Sequence, residues 1–295
     1  MNCSSHTISQ GGNVMFRFLA AILAVLFTMP FLSTPASAAA QKGKILVVAS
    51  SESTMAMPDG SSMNVGFFLN EFAVPAQYLA EKGYDIVLAT PSGQRPVMDA
   101  GSNSKRFFHD DDKARSKALD FVNNLPVTSL KTVVQGNLDQ YDALFVPGGH
   151  APMTDLMQDK ELGTILTYFH EHKKPTAFIC HGPAAALAAL PDAAGYRKAL
   201  VGRDAQAAMQ AAKGWIYKGY RMTAFTDAEE WPGEVRKGVE MPFHVEQALQ
   251  IAGGLMDLGP LNGSHVVHDR ELITGQNPAS DLALAKELDR TLSQK

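Results

Sequence analysis

Cys180 is followed directly by His181 and then by Gly182-Pro183. A thiol with an imidazole beside it is a nucleophile next to a proton acceptor. The apolar run Thr176-Ala-Phe-Ile-Cys180 leads into this pair, and an alanine-rich stretch follows it. A strand-to-helix turn at such a point pushes the nucleophile out and aims the next amide N–H at a developing oxyanion. A helix N-terminus there is expected to lower the thiol pKa. An isolated cysteine is usually an inert core residue; the placement, the following His and the Gly-Pro pair favour a reactive thiol. His181 has a plainer alternative, a turn residue that only caps the helix. Gly148 and Gly149 follow another apolar run, Asp142–Val146. Their N–H groups are candidate oxyanion donors; a tight turn is the simpler use of two glycines.

These groups need a scaffold, and the apolar pattern supplies one. Residues 44–50, 85–89, 142–146 and 176–180 are short, β-branched or continuously apolar runs that predict buried strands. Residues 65–82 carry helical periodicity and stop at Gly83. Residues 158–172 predict an amphipathic helix and 183–190 a small-residue one. Alternation of this kind implies an α/β fold: a doubly wound, mostly parallel sheet with helices on both faces. Ligands of such sheets sit beyond the carboxyl ends of the strands, where Cys180 and Gly148-Gly149 fall. Two stretches fit poorly, 93–135 with Asp110-Asp111-Asp112, and 196–219 with an alanine-rich helix over 205–212. Both are expected to be insertions outside the sheet.

The 295 residues carry 45% hydrophobic and 19% charged side chains and a net charge of −4, which excludes a disordered or fibrous chain. With pI near 6.1 there is no basic nucleic-acid footprint. Arg17, the ten apolar residues 18–27 and Ala36-Ser37-Ala38 form the pattern of a secretory signal peptide. The run is too short to span a bilayer, which needs about 20 residues. The expected organisation is a leader over 1–38, with Met15 as an alternative start, and a single domain over 39–295. Cleavage removes Cys3 and leaves Cys180 as one free thiol in a secreted or periplasmic protein with no stable membrane anchor.

The motifs AFICHGPAAAL, ALFVPGGHAPMTDL, AFTDAEE and ELITGQNPAS resemble the DJ-one/PfpI superfamily, of class I glutamine-amidotransferase-like, flavodoxin-like fold. Within it they resemble the branch of the heat-shock chaperone and glutathione-independent glyoxalase III (D-lactate dehydratase). The resemblance implies a catalytic triad of Cys180, His181 and a downstream acid. By position in AFTDAEE that acid is Glu230, with Glu229 and Asp227 as competitors; without the family pattern the segment would be taken as a surface acidic loop. VGFFLNEFAVP matches the segment that places Glu71 against the thiol, where a protonated carboxyl donates a hydrogen bond to sulfur. Gly149 and His181, with Gly148, would supply backbone oxyanion donors.

The resemblance further implies a cofactor-free enzyme acting on small dicarbonyls such as methylglyoxal, and a homodimer. No Walker A or dinucleotide fingerprint is present. Some members bind a metal through two His and an acid; that set cannot be placed here, and His109 beside three Asp is better explained as a solvated loop. Holdase chaperone and deglycase activities come with the same branch, and a PfpI-like peptidase would need a higher oligomer. His244-x-Glu246 also permits an amidotransferase reading. Against it, Phe178 stands where such enzymes have Gly, and 241–252 predicts one continuous helix on which His244 and Glu246 point apart. Residues 196–219 exceed the usual length of this branch and are expected to cover the pocket.

Overall fold

The structure, a computed structural model, describes residues 42–294; the expected leader lies outside the described residues. Seven strands form the central sheet: β1 Gly43–Val48, β2 Tyr84–Thr90, β3 Val127–Ser129, β4 Ala143–Val146, β5 Thr176–Ile179, β6 Val266–Asp269 and β7 Leu272–Gly275. Their order is β6-β7-β5-β4-β1-β2-β3. All neighbours pair in parallel except β6 with β7. Two short two-stranded ribbons, 54–56 with 62–64 and 221–222 with 255–256, lie outside this sheet.

Successive strand residues point to opposite faces, and both faces of this sheet are covered. Ile45 and Val47 of β1 pack with Phe72, Ala76 and Leu79 of α1 (Leu69–Glu81) and with Leu284 and Leu288 of a helix over Asp281–Leu292. Leu46 and Val48 pack on the other face with Leu162, Ile165 and Phe169, from α4 (Lys160–Glu171). The doubly wound α/β architecture expected from the sequence is therefore the observed one.

Three local expectations are corrected. Residues 93–135 are not an insertion outside the sheet: they contain α2 (Asp112–Asn124), the edge strand β3 and α3 (Leu130–Gln135). β3 has three residues, all half-buried, too few for an alternation signal. The alanine-rich segment is wound as a 3₁₀ helix over Gly182–Ala189 rather than an α-helix; that winding eclipses side chains three apart, which alanine tolerates. Residues 241–243 are not helical, and the helix there, Val245–Ala252, takes His244 as its N-cap.

Residues 196–219 add no strand to the main sheet. They complete α5 (Ala193–Val201), form α6 (Ala205–Ala211), and then bury Trp215 and Tyr217. The Trp215 indole N–H donates to the Ala186 carbonyl at 2.9 Å, which clamps this stretch onto the segment that follows the cysteine. With the helix α7 (Asp227–Lys237) and α8 (Val245–Ala252), α5 and α6 line a cavity of about 400 Å³ beside Trp231, Glu234 and His244.

Candidate functional site

β5 ends at Ile179, and Cys180 leaves the strand with φ 60°, in the left-handed region that non-glycine residues rarely occupy. Two backbone bonds hold it there. Its N–H donates to Gly275 O at 2.9 Å, and its carbonyl accepts from Phe225 N at 2.8 Å. Strain maintained by surrounding bonds is a mark of functional turns. The thiol is 4% exposed, packed between the end of β4, α1 and the 3₁₀ segment.

His181 turns back toward the sulfur, with Nδ1 3.3 Å from Cys180 Sγ. Its Nε2 lies 2.6 Å from Glu230 Oε2. Glu230 sits in the first turn of α7, whose capping box (Thr226 with Glu229) fixes the start of the helix. The three acids of AFTDAEE have separate fates. Glu229 accepts from Thr226, Asn262 and Asn277 and ties loops together. Asp227 faces His244 Nδ1 at 3.3 Å. Glu230 alone of the three meets His181. The segment is a capped helix, not a surface loop.

Glu71, fully buried on α1, points its carboxyl at the Cys180 sulfur. No oxygen or nitrogen donor engages either of its oxygens. Gly148 makes room for it: a Cβ there would fall 2.3 Å from Glu71 Oε2 and 2.6 Å from Cys180 Cβ. Gly149 takes φ +92° and aims its N–H at the sulfur. A Cβ on Gly149 would sit 2.1 Å from Gly66 O. The two glycines thus do different jobs, one supplying space and the other an amide.

Burial dominates the proton balance. It pushes the Glu71 carboxyl well above the ordinary carboxylate range and the Cys180 thiol well above the ordinary thiol range, against the pull of the Gly149 N–H. The sequence expectation of a low thiol pKa is corrected on this point, because a helix end is a weak counterweight to removal from water. Burial, and then the charge of His150, lowers His181. Burial by itself would raise Glu230, but the His181 and His150 imidazoles outweigh it and hold the carboxyl below its usual value. With Glu230 ionised, His181 Nε2 carries the hydrogen, which leaves Nδ1 to accept a proton from sulfur.

His150 was not among the residues singled out from the sequence, although it directly follows Gly149 in the PGGH motif. Its Nε2 lies 3.2 Å from Glu230 Oε1, and its ring centroid is 4.2 Å from that of His181. His150, His181 and Glu230 offer metal-ligand atoms within 4.8 Å of one another, the one such set among the described residues. These groups already satisfy each other by hydrogen bonds, so no orphaned atom calls for an ion. His109 belongs to no such set and occupies a turn at φ 52°. His244 pairs with Asp227 and Glu234, while Glu246 accepts the Asp227 N–H. The amidotransferase pairing of His244 with Glu246 is therefore not formed.

The profile of the DJ-1/PfpI family matches residues 63–290, and the chain belongs to that family. The protein/nucleic acid deglycase HchA of Pseudomonas aeruginosa is 25% identical over 257 residues, spanning 84% of this chain and 80% of its own. The glutathione-independent glyoxalase HSP31 of Saccharomyces cerevisiae is 25% identical over 245 residues, with 80% and 92% covered. The crystal structure of glyoxalase III from Candida albicans superimposes with a TM-score of 0.59 at 20% identity, covering 85% of this chain and 97% of that one. That last likeness is one of fold.

Proposed function

We propose that this protein is a cofactor-independent, thiol-dependent enzyme that converts methylglyoxal or a similar 2-oxoaldehyde to the 2-hydroxy acid, a glyoxalase III of D-lactate dehydratase type. The observation that carries this reading is the contact of Cys180 Sγ with His181 Nδ1 at 3.3 Å, with Glu230 behind the imidazole. The yeast relative, a glutathione-independent glyoxalase by name, supports it; the Pseudomonas relative, a deglycase by name, supports the family.

The thiol and imidazole are both neutral at rest, so attack and proton transfer go together. Sulfur adds to the aldehyde carbon while its proton passes to Nδ1, and the imidazolium hands that proton on to the former carbonyl oxygen, giving a hemithioacetal and a neutral His181. His181 then removes the proton from that carbon, and an enediol forms. Return of a proton to the adjacent carbon leaves a 2-hydroxy thioester on Cys180. Water cleaves the thioester, releasing the acid and restoring the thiol. No electron leaves the system, because one carbon is oxidised as its neighbour is reduced. The Gly149 N–H, already aimed at sulfur, and the His181 N–H are assigned to the developing oxyanion.

Lactate formation from methylglyoxal without glutathione tests this, with the wild type and Cys180→Ala side by side. Turnover by the first and none by the second is expected. Turnover by both removes the mechanism. Deglycation of Arg, Lys or Cys adducts would use the same thiol. Holdase activity would use apolar surface instead, such as Trp231 and Val235, which are 64% and 63% exposed one turn apart on α7. Suppression of aggregation retained by Cys180→Ala would assign that second activity to the surface. We also propose export through the leader over 1–38; N-terminal sequencing of the protein from its native host should begin near Ala39. Among the described residues no helix is long and apolar enough to cross a membrane.

A further inference from the structure

Glu230 has two carboxyl oxygens, and the mechanism above uses one of them. The other, Oε1, lies 3.2 Å from His150 Nε2. Both partners are largely withdrawn from solvent, with side-chain exposures of 15% for His150 and 10% for Glu230. The two imidazoles face each other at a ring tilt of 44°. His150 also sits at the start of the 3₁₀ turn Ala151–Met153, directly after the Gly149 amide. One side chain thus joins three parts of the site: the amide-bearing loop after β4, the acid on α7 and the imidazole after β5.

We propose that His150 is a positioning residue for the thiol chemistry: by donating to Glu230 Oε1 and packing on His181, it fixes the plane of the carboxylate so that Oε2 meets His181 Nε2, and it ties that alignment to the loop carrying the Gly149 N–H. The proposal deepens the thiol-enzyme reading and uses that same site.

The geometry explains why one partner would not suffice. A carboxylate held at one oxygen rotates about its last side-chain bond, and the imidazole it orients swings with it. A second donor on the opposite oxygen removes that freedom. Without it, Oε1 would be a buried acceptor with nothing to receive. Small misplacement of a catalytic group lowers rates disproportionately. There is an electrostatic consequence as well. His181 is faced by Cys180 on its own turn, by Glu230 from α7, and by the imidazoles of His150 and His244. Positive charge at His150 opposes imidazolium at His181. His150 therefore helps to keep His181 in the neutral form that accepts the thiol proton. Loss of His150 should move that titration to higher pH.

Two variants separate the parts of this role. His150→Phe keeps a ring against His181 and removes the donor and the charge. His150→Gln keeps an N–H donor of similar reach and removes the charge. Two readouts are taken on each: the pH profile of Cys180 alkylation by iodoacetamide, which needs no substrate, and kcat and KM for methylglyoxal. For His150→Phe the expected result is a loss of roughly 10- to 100-fold in kcat with KM nearly unchanged, and an alkylation profile displaced to higher pH. For His150→Gln, kcat should recover most of the way while the displaced profile remains.

Wild-type alkylation profiles in both variants would overturn the proposal. So would a drop in kcat that follows only a lowered melting temperature, with no change in profile, since that is what a packing role gives. If His150→Phe fails to fold, His150→Gln still decides the matter through its profile. If the wild type does not turn over methylglyoxal, the glyoxalase reading fails, but the alkylation profiles still test His150.

Discussion

Replacing Glu71 with Gln should make the protein more stable at neutral pH and erase part of its pH dependence. Glu71 is fully buried against Cys180, in the space left by Gly148. Burial raises its carboxyl well above the ordinary range, so the folded protein holds it protonated where the unfolded chain, near pKa 4.3, has lost the proton. An acid raised on folding contributes stability that is fully present below the unfolded pKa and is lost as pH rises toward the folded one. Each pH unit in that window removes about 1.4 kcal/mol. Between pH 5 and 7 the wild type should therefore lose stability to this one group, by roughly 2–3 kcal/mol at most. Gln has nearly the same shape and cannot ionise. Urea unfolding at pH 5, 6 and 7 should show the stability of Glu71→Gln minus that of the wild type growing with pH. Parallel curves would refute the argument, because they would mean that Glu71 releases its proton equally easily in both states.

Gly148→Ala should destabilise by about 1–3 kcal/mol, read as a lower urea midpoint. Its Cβ would lie 2.6 Å from Cys180 Cβ and 2.7 Å from the Ile179 carbonyl, and neither can step aside. Glu230→Gln removes the charge between two imidazoles and should lower turnover by about 10²–10⁴; turnover within a factor of three of wild type would leave His181 without need of an acid. His244 is raised to about 9, first by its bond to Asp227 and, against burial, by Glu234. Its contribution is present below the unfolded pKa of about 6.5 and is lost as pH rises through 9. His244→Gln should be less stable than wild type by roughly 1 kcal/mol at pH 6, after allowance for solvent screening. The gap should close by pH 10, as urea unfolding at the two pH values would show.

The strands and the turn at Cys180 were legible because they rest on local pattern. β1, β2, β4 and β5 hold continuous apolar runs (residues 45–48, 86–89, 143–146 and 177–179) since both of their faces are covered, and a run of that kind announces itself. β3 did not, because three half-buried residues at a sheet edge carry no period. The 93–135 segment therefore looked like an insertion when it completes the sheet. The helix over 227–237 was hidden for another reason. Its first turn is acidic because helix N-termini favour acids, and the same composition also suits an exposed loop.

By itself the sequence determined the adjacency of Cys180 and His181, the glycines that must approach them, and the motifs of the DJ-1/PfpI family. Each of these is a property of neighbouring residues. Tertiary structure decided which of three acids reaches the imidazole, 49 residues away along the chain. It also brought His150 to the other oxygen of that acid, 80 residues away, where sequence separation says nothing about distance. The charge state of the site was decided in the same way. Cys180 and Glu71 are ordinary titrating groups until packing removes their water, and the cost of desolvation then outweighs the helix terminus that the local sequence had promised.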